Sequence, residues 1–101
     1  MKKHKVVLTE FAKQDIKKGK EYYQNISSRL AKQFLERIKE ASVFISENPN
    51  ANDVIYHEIR MHLIKQFPYH LHYLIDEKRN IIVIIAIEFA RRKNLDFSER
   101  T

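Results

Sequence analysis

Phe67-Pro68-Tyr69-His70-Leu71-His72-Tyr73-Leu74-Ile75, then Asp76-Glu77-Lys78-Arg79-Asn80, then Ile81-Ile82-Val83-Ile84-Ile85-Ala86-Ile87: how this stretch reads decides the fold. The first run mixes aromatic and β-branched residues with polar ones. The last run is apolar throughout. Two such runs joined by a short charged loop predict antiparallel strands. The all-apolar run predicts an inner strand covered on both faces. The mixed run leaves one face for polar work.

Working outward, Lys5 to Leu8 predicts a first strand. Thr9 is placed to cap a helix through its hydroxyl, with Glu10 favourable in the first turn. Phe11, Ala12, Ile16, Gly19, Tyr23 and Ile26 then recur at helical spacing and form one apolar face. Tyr22 and Tyr23 read as packing residues of that helix. Gly19 lies on the stripe at a cost of about 1 kcal/mol against alanine, so something packs closely across it. Asn25-Ile26-Ser27-Ser28 breaks the pattern, and Ser27 or Ser28 caps a second helix. Its stripe is Leu30, Phe34, Ile38, Ala41 and Ile45, widened by Ala31, Leu35 and Phe44. Glu47-Asn48-Pro49-Asn50 ends it, because proline cannot continue a helix. Two helices with a short connection predict an antiparallel hairpin.

Residues 48–53 read as a polar loop. From Val54 to Gln66 the chain turns strand-like, with Ile59, Met61 and Leu63 alternating with Arg60, His62 and Ile64. Pro68 favours an edge, a bulge or a strand start. The expectation is one α+β domain over residues 1–101, in the order β-α-α-β-β-β. An N-terminal strand and a helical hairpin precede a three-stranded antiparallel meander, and residues 93–101 form a polar tail. One sheet face packs on the hairpin and the other is left to bind.

Composition sets the class. At 101 residues with 44% hydrophobic content, the chain can bury a core without metal or disulfide. It has no cysteine, which fits a reducing cytoplasm and excludes thiolate chemistry. The run from Ile81 to Ile87 is too short to span a bilayer. No long apolar region follows Met1-Lys2-Lys3-His4-Lys5 before Thr9-Glu10, so the start is not read as a signal peptide. The net charge is +6. Residues 1–40 hold eleven Lys/Arg against five Asp/Glu, and the remainder holds eight of each. That excess either attracts a polyanion or acidic partner, or is a solvated lysine surface.

Gly19 is the only glycine, so no glycine loop cradles phosphate. There is no Cys/His zinc pattern. Four of five histidines lie within residues 57–72. His70 and His72, two apart on a strand, share a face, and His62 is a candidate to join them from the neighbouring strand. Three such histidines suit a divalent metal or simply make a polar sheet face; neither metal nor cofactor is expected. Imidazole also serves as general acid or base. Arginines suit phosphate and developing negative charge. The candidate catalytic set, should the chain cleave RNA, is His70, Arg91 and Arg60. Arg92, His62, His72 and Lys65 are candidate binding residues. Tyr69 and Tyr73 face away from His70 and His72 and read as core. Asp15 is expected to pair with a lysine or with the next element.

The element order, Phe67-Pro68-Tyr69 followed by Leu71, Tyr73 and Ile75, the apolar run Ile81–Ile87 and Arg91-Arg92 resemble the RelE/ParE toxin superfamily. Ala12-x-x-Asp15-Ile16 and the Asn48-Pro49 helix exit belong to the same resemblance, which spans residues 5 to 93. It implies the toxin of a bacterial type II toxin–antitoxin module: small, basic and cytoplasmic, held in a hetero-oligomer by a small acidic antitoxin. RelE-like members cut mRNA on the ribosome, whereas ParE-like members poison DNA gyrase. His70 stands where RelE-like members usually carry arginine, and Phe89 where histidine is frequent. The tail from Lys93 to Thr101 has no Tyr or His for proton transfer. These departures, the long hairpin and Phe67-Pro68-Tyr69 lean to the ParE-like branch and to gyrase. The alternatives are a ribosome-dependent nuclease and an inert, antitoxin-binding member.

Overall fold

In the computed structural model, which describes residues 3–90 and 97–100, the chain runs β1 (Lys5–Leu8), α1 (Glu10–Gln24), α2 (Ser28–Glu47), β2 (Val54–Tyr56), β3 (Ile59–Leu63), β4 (Tyr69–Asp76) and β5 (Ile81–Phe89). A turn of 3-10 helix follows at Ser98–Arg100. The caps are those the sequence offers. Thr9 Oγ1 accepts from Ala12 N–H at 3.1 Å, and Ser27 Oγ accepts from Leu30 N–H at 3.4 Å. At the far end of α2 the Asn48 side chain donates to the Phe44 carbonyl, and Pro49 follows.

The helices pack as the expected hairpin, and Gly19 explains how closely. A Cβ built at residue 19 would stand 2.5 Å from Phe34 Cζ. The phenyl ring of α2 therefore rests on the bare backbone of α1. Phe34 also heads an aromatic cluster, its ring centroid 5.3 Å from Tyr23, 5.5 Å from Phe67 and 5.2 Å from Tyr69. Burial and the neighbouring Tyr69 push the Tyr23 phenol up to about 12. Ala31, Ile38, Ala41 and Ile45 of α2 complete this core against Leu71, Tyr73, Ile82 and Ile84 of the sheet.

The sheet has five strands in the order β1-β5-β4-β3-β2. Strands β2 to β5 are successively antiparallel, while β1 pairs with β5 in parallel. That parallel pair needs a long crossover, and the helical hairpin supplies it. The mixed sheet thus keeps the expected order with one addition. The segment read as a single strand from Val54 to Gln66 folds into two, β2 and β3. His57 and Glu58, at φ 44° and 73°, turn the chain between them. Two consecutive left-handed residues make the hairpin turn whose twist matches the strands. Such turns normally carry Asn or Gly, so His57-Glu58 gave no turn signal.

A β-bulge lies at the middle of the β4–β5 pair: His72 faces Ala86, Tyr73 faces Ile84, and Ile85 is the extra residue. It inverts the alternation of β5. Ile82 and Ile84 face the hairpin, Ile85 and Ala86 both face the other way, and Ile87 returns to the hairpin side. Glu88, opposite His70, consequently falls on the second face.

That second face was expected to be open. In the structure it carries a small core of its own: Ile59, Ile85 and Ala86 are buried, with Tyr56, Leu74, Val83 and Phe97 packed on them. The chain's own C-terminal segment covers part of it, because an apolar strand face left bare would cost too much. Along the helices, five residues expected to pack are exposed instead: Phe11 (52%), Ile26 (59%), Leu35 (36%) and Phe44 (42%) of the stripes, and Tyr22 (60%). Only Tyr23 of the tyrosine pair packs in the core. No helix among the described residues is long and apolar enough to cross a membrane.

Candidate functional site

Strand β4 carries the chemistry that the sequence promised, and pairing decides its surroundings. On the second face His72 opposes Met61 of β3 and Ala86 of β5, and His70 opposes Leu63 and Glu88. The two imidazole rings lie 6.5 Å apart, edge to face. His72 is 1% exposed and Glu88 6%. The hydrogen bonds around His72 form a chain. Phe97 N–H donates to the Tyr56 hydroxyl at 3.2 Å, and Tyr56 lies 2.9 Å from His72 Nδ1. His72 Nε2 lies 3.2 Å from Glu88 Oε1. Since Glu88 accepts, Nε2 carries the proton and Nδ1 accepts from Tyr56.

Burial pulls the His72 imidazole down to about 4, helped by His70 and Arg100. The contact with Glu88 is therefore a hydrogen bond to a neutral ring near neutral pH. The Phe97 ring packs 4.9 Å from His72 and closes the group from above. A relay of this kind holds the C-terminal segment on the sheet. Its histidine is too dry to serve a substrate, and His70, half-buried beside it, is the accessible imidazole of this face.

The other predicted residues lie elsewhere. His62 opposes Leu71 and Arg60 opposes Tyr73, so both point to the hairpin face. The expectation that His62 joins His70 and His72 fails for that reason: residues directly opposed across a strand pair share a face. His62 instead stacks on Phe44 at 5.1 Å and bonds to Asn52. Burial lowers its basicity. Arg60 donates to the Asn52 carbonyl and ties down the loop before β2. Lys65 is exposed, and with Arg37, Glu40, Phe44 and His62 it lines a cavity of about 430 Å³ between α2 and β3. Arg91 and Arg92 lie outside the described residues. Among the described residues no three His, Cys, Asp or Glu side chains gather as a metal site.

Some working residues escaped the sequence reading, and they sit where β1 runs out. Strand β1 ends opposite Ile84, which leaves the further edge of β5 without a strand partner among the described residues. Side chains satisfy it. Ile87 N–H donates to Asp15 Oδ2 at 3.1 Å, and Arg100 donates to the Ile85 carbonyl at 3.3 Å and to Asp15 Oδ2 at 2.8 Å. The Arg100 guanidinium also lies over Phe11 and Phe97, 5.0 and 4.5 Å from the centroids. Asp15 was expected to pair with a lysine or with the next element; among the described residues its partners are instead Ile87 of β5 and Arg100, far along the chain. Beside this clamp, α1 and the ends of β4 and β5 enclose a cleft of about 470 Å³, lined by Lys18, Tyr22, Tyr69, Phe89 and Phe97 among others. Glu88, alone among apolar residues at the end of β5, was the one signal available for the second face.

The family model described as ParE toxin of type II toxin–antitoxin system, parDE, matches residues 6–93. Among solved structures, the chain is similar to one titled as a chromosomal ParDE toxin–antitoxin system from P. aeruginosa. The TM-score is 0.75 at 15% identity, over 87% of this chain and 97% of that one. It is also similar to one titled as the toxin–antitoxin complex RelBE2 from Mycobacterium tuberculosis, with TM-score 0.56 at 17% identity, over 87% and 99% of the two chains. No curated protein matches it.

Proposed function

We propose that this chain, which belongs to the ParE toxin family of type II toxin–antitoxin systems, halts bacterial growth by binding DNA gyrase and is neutralised by a cognate antitoxin. The observation that carries the reading is the family match across residues 6–93. Gyrase is the target that a ParE-like branch implies. The geometry of the sheet supports it against the nuclease alternative. Cleavage of RNA by His70 with Arg60 would need both groups at one phosphate, and the two lie on opposite sheet faces. A cleaving set would then rest on His70 with Arg91. The +6 charge suits a small acidic antitoxin, bound in a cytoplasmic hetero-oligomer. Both solved structures are titled as toxin–antitoxin assemblies, which supports the same partner.

Supercoiling by purified gyrase should fall when the protein is added. Supercoiling unchanged at a large excess of protein would overturn the proposal. New cuts in translated mRNA, lost in His70→Ala, would establish the nuclease reading instead. Induction without growth arrest would point to an inert member.

A further inference from the structure

His62 and Lys65 take no part in the histidine face of β4, yet they meet at one place. Both line the cavity of about 430 Å³ between α2 and β3, together with Arg37, Glu40, Ala41 and Phe44. A space of that size holds a large side chain or a small ligand. Its walls are held in place. Phe44 stays 42% exposed and stacks on the His62 ring at 5.1 Å, 22° from parallel. Asn52 bonds both to His62 and to the Tyr73 hydroxyl. Burial lowers the basicity of His62, so near neutral pH its ring is an uncharged wall. Gln66 accepts from Arg37 Nε at 3.0 Å and donates to Gln33 at 2.9 Å, which ties the segment after β3 to α2. A pocket fixed in this way loses little freedom when it takes a guest.

The charges around the pocket do not cancel. Arg37 is taken up by Glu40, donating to both carboxylate oxygens at 3.0 and 2.9 Å. Lys65 is exposed and makes no ion pair among the described residues. One uncompensated positive charge therefore stands beside an apolar space. A second cavity, of about 480 Å³, shares Glu40 and Phe44 with the first, and there Glu36 and Glu47 outnumber Lys39. The surface is thus basic at Lys65 and acidic beyond Phe44.

We propose that this pocket receives a large apolar side chain of an acidic polypeptide, with a carboxylate next to that side chain set on Lys65. The polypeptide is the acidic antitoxin of the proposed function, on which this assignment of the occupant rests. The apolar anchor lies against Ala41, Phe44 and the His62 ring. A carboxylate on the other side of the anchor would meet Glu36 or Glu47, so the charges fix which side of it the acid occupies. The apolar surface continues to the edge of the sheet. Val54 of the edge strand β2 is 50% exposed and opposes Arg60, which places it on the same face as His62. This surface makes no use of His70 or His72, and the pocket's chemistry does not depend on the choice of cellular target.

The test is a titration of the isotope-labelled full chain, followed by its amide NMR signals. The probes are the amide of N-acetyl-tryptophanyl-glutamate and its glutamine and lysine counterparts. Shifts are expected to centre on Ala41, Phe44, His62 and Lys65. The glutamate probe should bind about two- to fivefold more tightly than the glutamine probe, and the lysine probe weakest. Lys65→Glu should reverse the order of the acid and base probes, and Phe44→Ala should weaken all three by about tenfold or more. Both side chains are exposed, and the dispersion of the amide signals shows that each variant folds. Both variants should also weaken capture of the cognate antitoxin by about tenfold. No shifts at the pocket, or equal binding of the acid and base probes, would overturn the proposal. Antitoxin capture that neither variant moves would overturn it too. Probes that bind as expected to a chain that no antitoxin captures would overturn the antitoxin reading instead, with the pocket's chemistry upheld.

Discussion

Gly19→Ala probes the tightest contact between the helices. On an open helix this change stabilises by about 1 kcal/mol, because glycine loses more backbone freedom on folding. The hairpin leaves it no room. The new methyl would stand 2.5 Å from Phe34 Cζ and 2.7 Å from Cε2. Carbon atoms in ordinary contact sit about 3.5–4 Å apart, so ring and helix must separate by about 1 Å. Phe34 is fully buried and held by the rings of Tyr23, Phe67 and Tyr69, so it cannot turn aside alone. Overpacking of this kind costs about 1–3 kcal/mol. With the gain of about 1 kcal/mol set against it, the net loss should be about 0–2 kcal/mol, or up to roughly 15 °C in Tm for a domain of this size. Urea titration followed by far-ultraviolet circular dichroism measures it, as there is no tryptophan to report. Phe34→Leu shortens the obstacle, so Gly19→Ala should cost less in that background and the two changes should not add. A higher midpoint in Gly19→Ala, or strict additivity with Phe34→Leu, would refute the steric argument.

Two further outcomes follow from the second sheet face. The unfolded His72 takes a proton near pH 6.5, while the folded ring resists until about 4. The unfolded state therefore binds more protons in that window, and stability falls as pH drops from about 6.5 towards 4. In His72→Phe the slope of unfolding free energy against pH should be shallower between those values; an unchanged slope would show that His72 does not titrate as described. Arg100→Ala removes the ion pair with Asp15, the bond to Ile85 and two ring contacts. A partly buried, charge-assisted group of this kind should cost about 2 kcal/mol, and hydrogen exchange should quicken at Phe97. A change below about 0.5 kcal/mol would reduce the clamp to a surface ion pair.

The histidine face shows where sequence reasoning reaches and where it stops. That His70 and His72 share a face followed from the two-residue period of a strand, and the structure keeps it. That His62 and Arg60 face the hairpin depended on which residue of β3 opposes which residue of β4, and no local pattern encodes that register. Glu88 is a sharper case. Strict alternation from the buried Ile84 would send it towards the hairpin, and only the extra residue Ile85 sends it to His72. The split between β2 and β3 was hidden because His57 and Glu58 adopt left-handed backbone without the residues that normally announce it. The sheet covering by Phe97 was unreadable because the contact crosses forty-one positions to Tyr56.

Two helices, the cap at Thr9 and a serine cap at residue 27 or 28, the close approach at Gly19, the doubly covered strand from Ile81 and the family resemblance were all determined by the amino-acid sequence alone. Each rests on signals spanning a few residues, or on their order along the chain: a hydroxyl three positions before the amide it accepts from, a missing Cβ, a run of apolar side chains. Only the tertiary structure decided which strand β1 joins, which side chains of neighbouring strands share a face, and what seals the edge of β5 beyond Ile84. Those depend on register between distant segments, where one added residue reverses every side chain after it, and on partners such as Asp15 and Arg100 that meet only once the chain has folded.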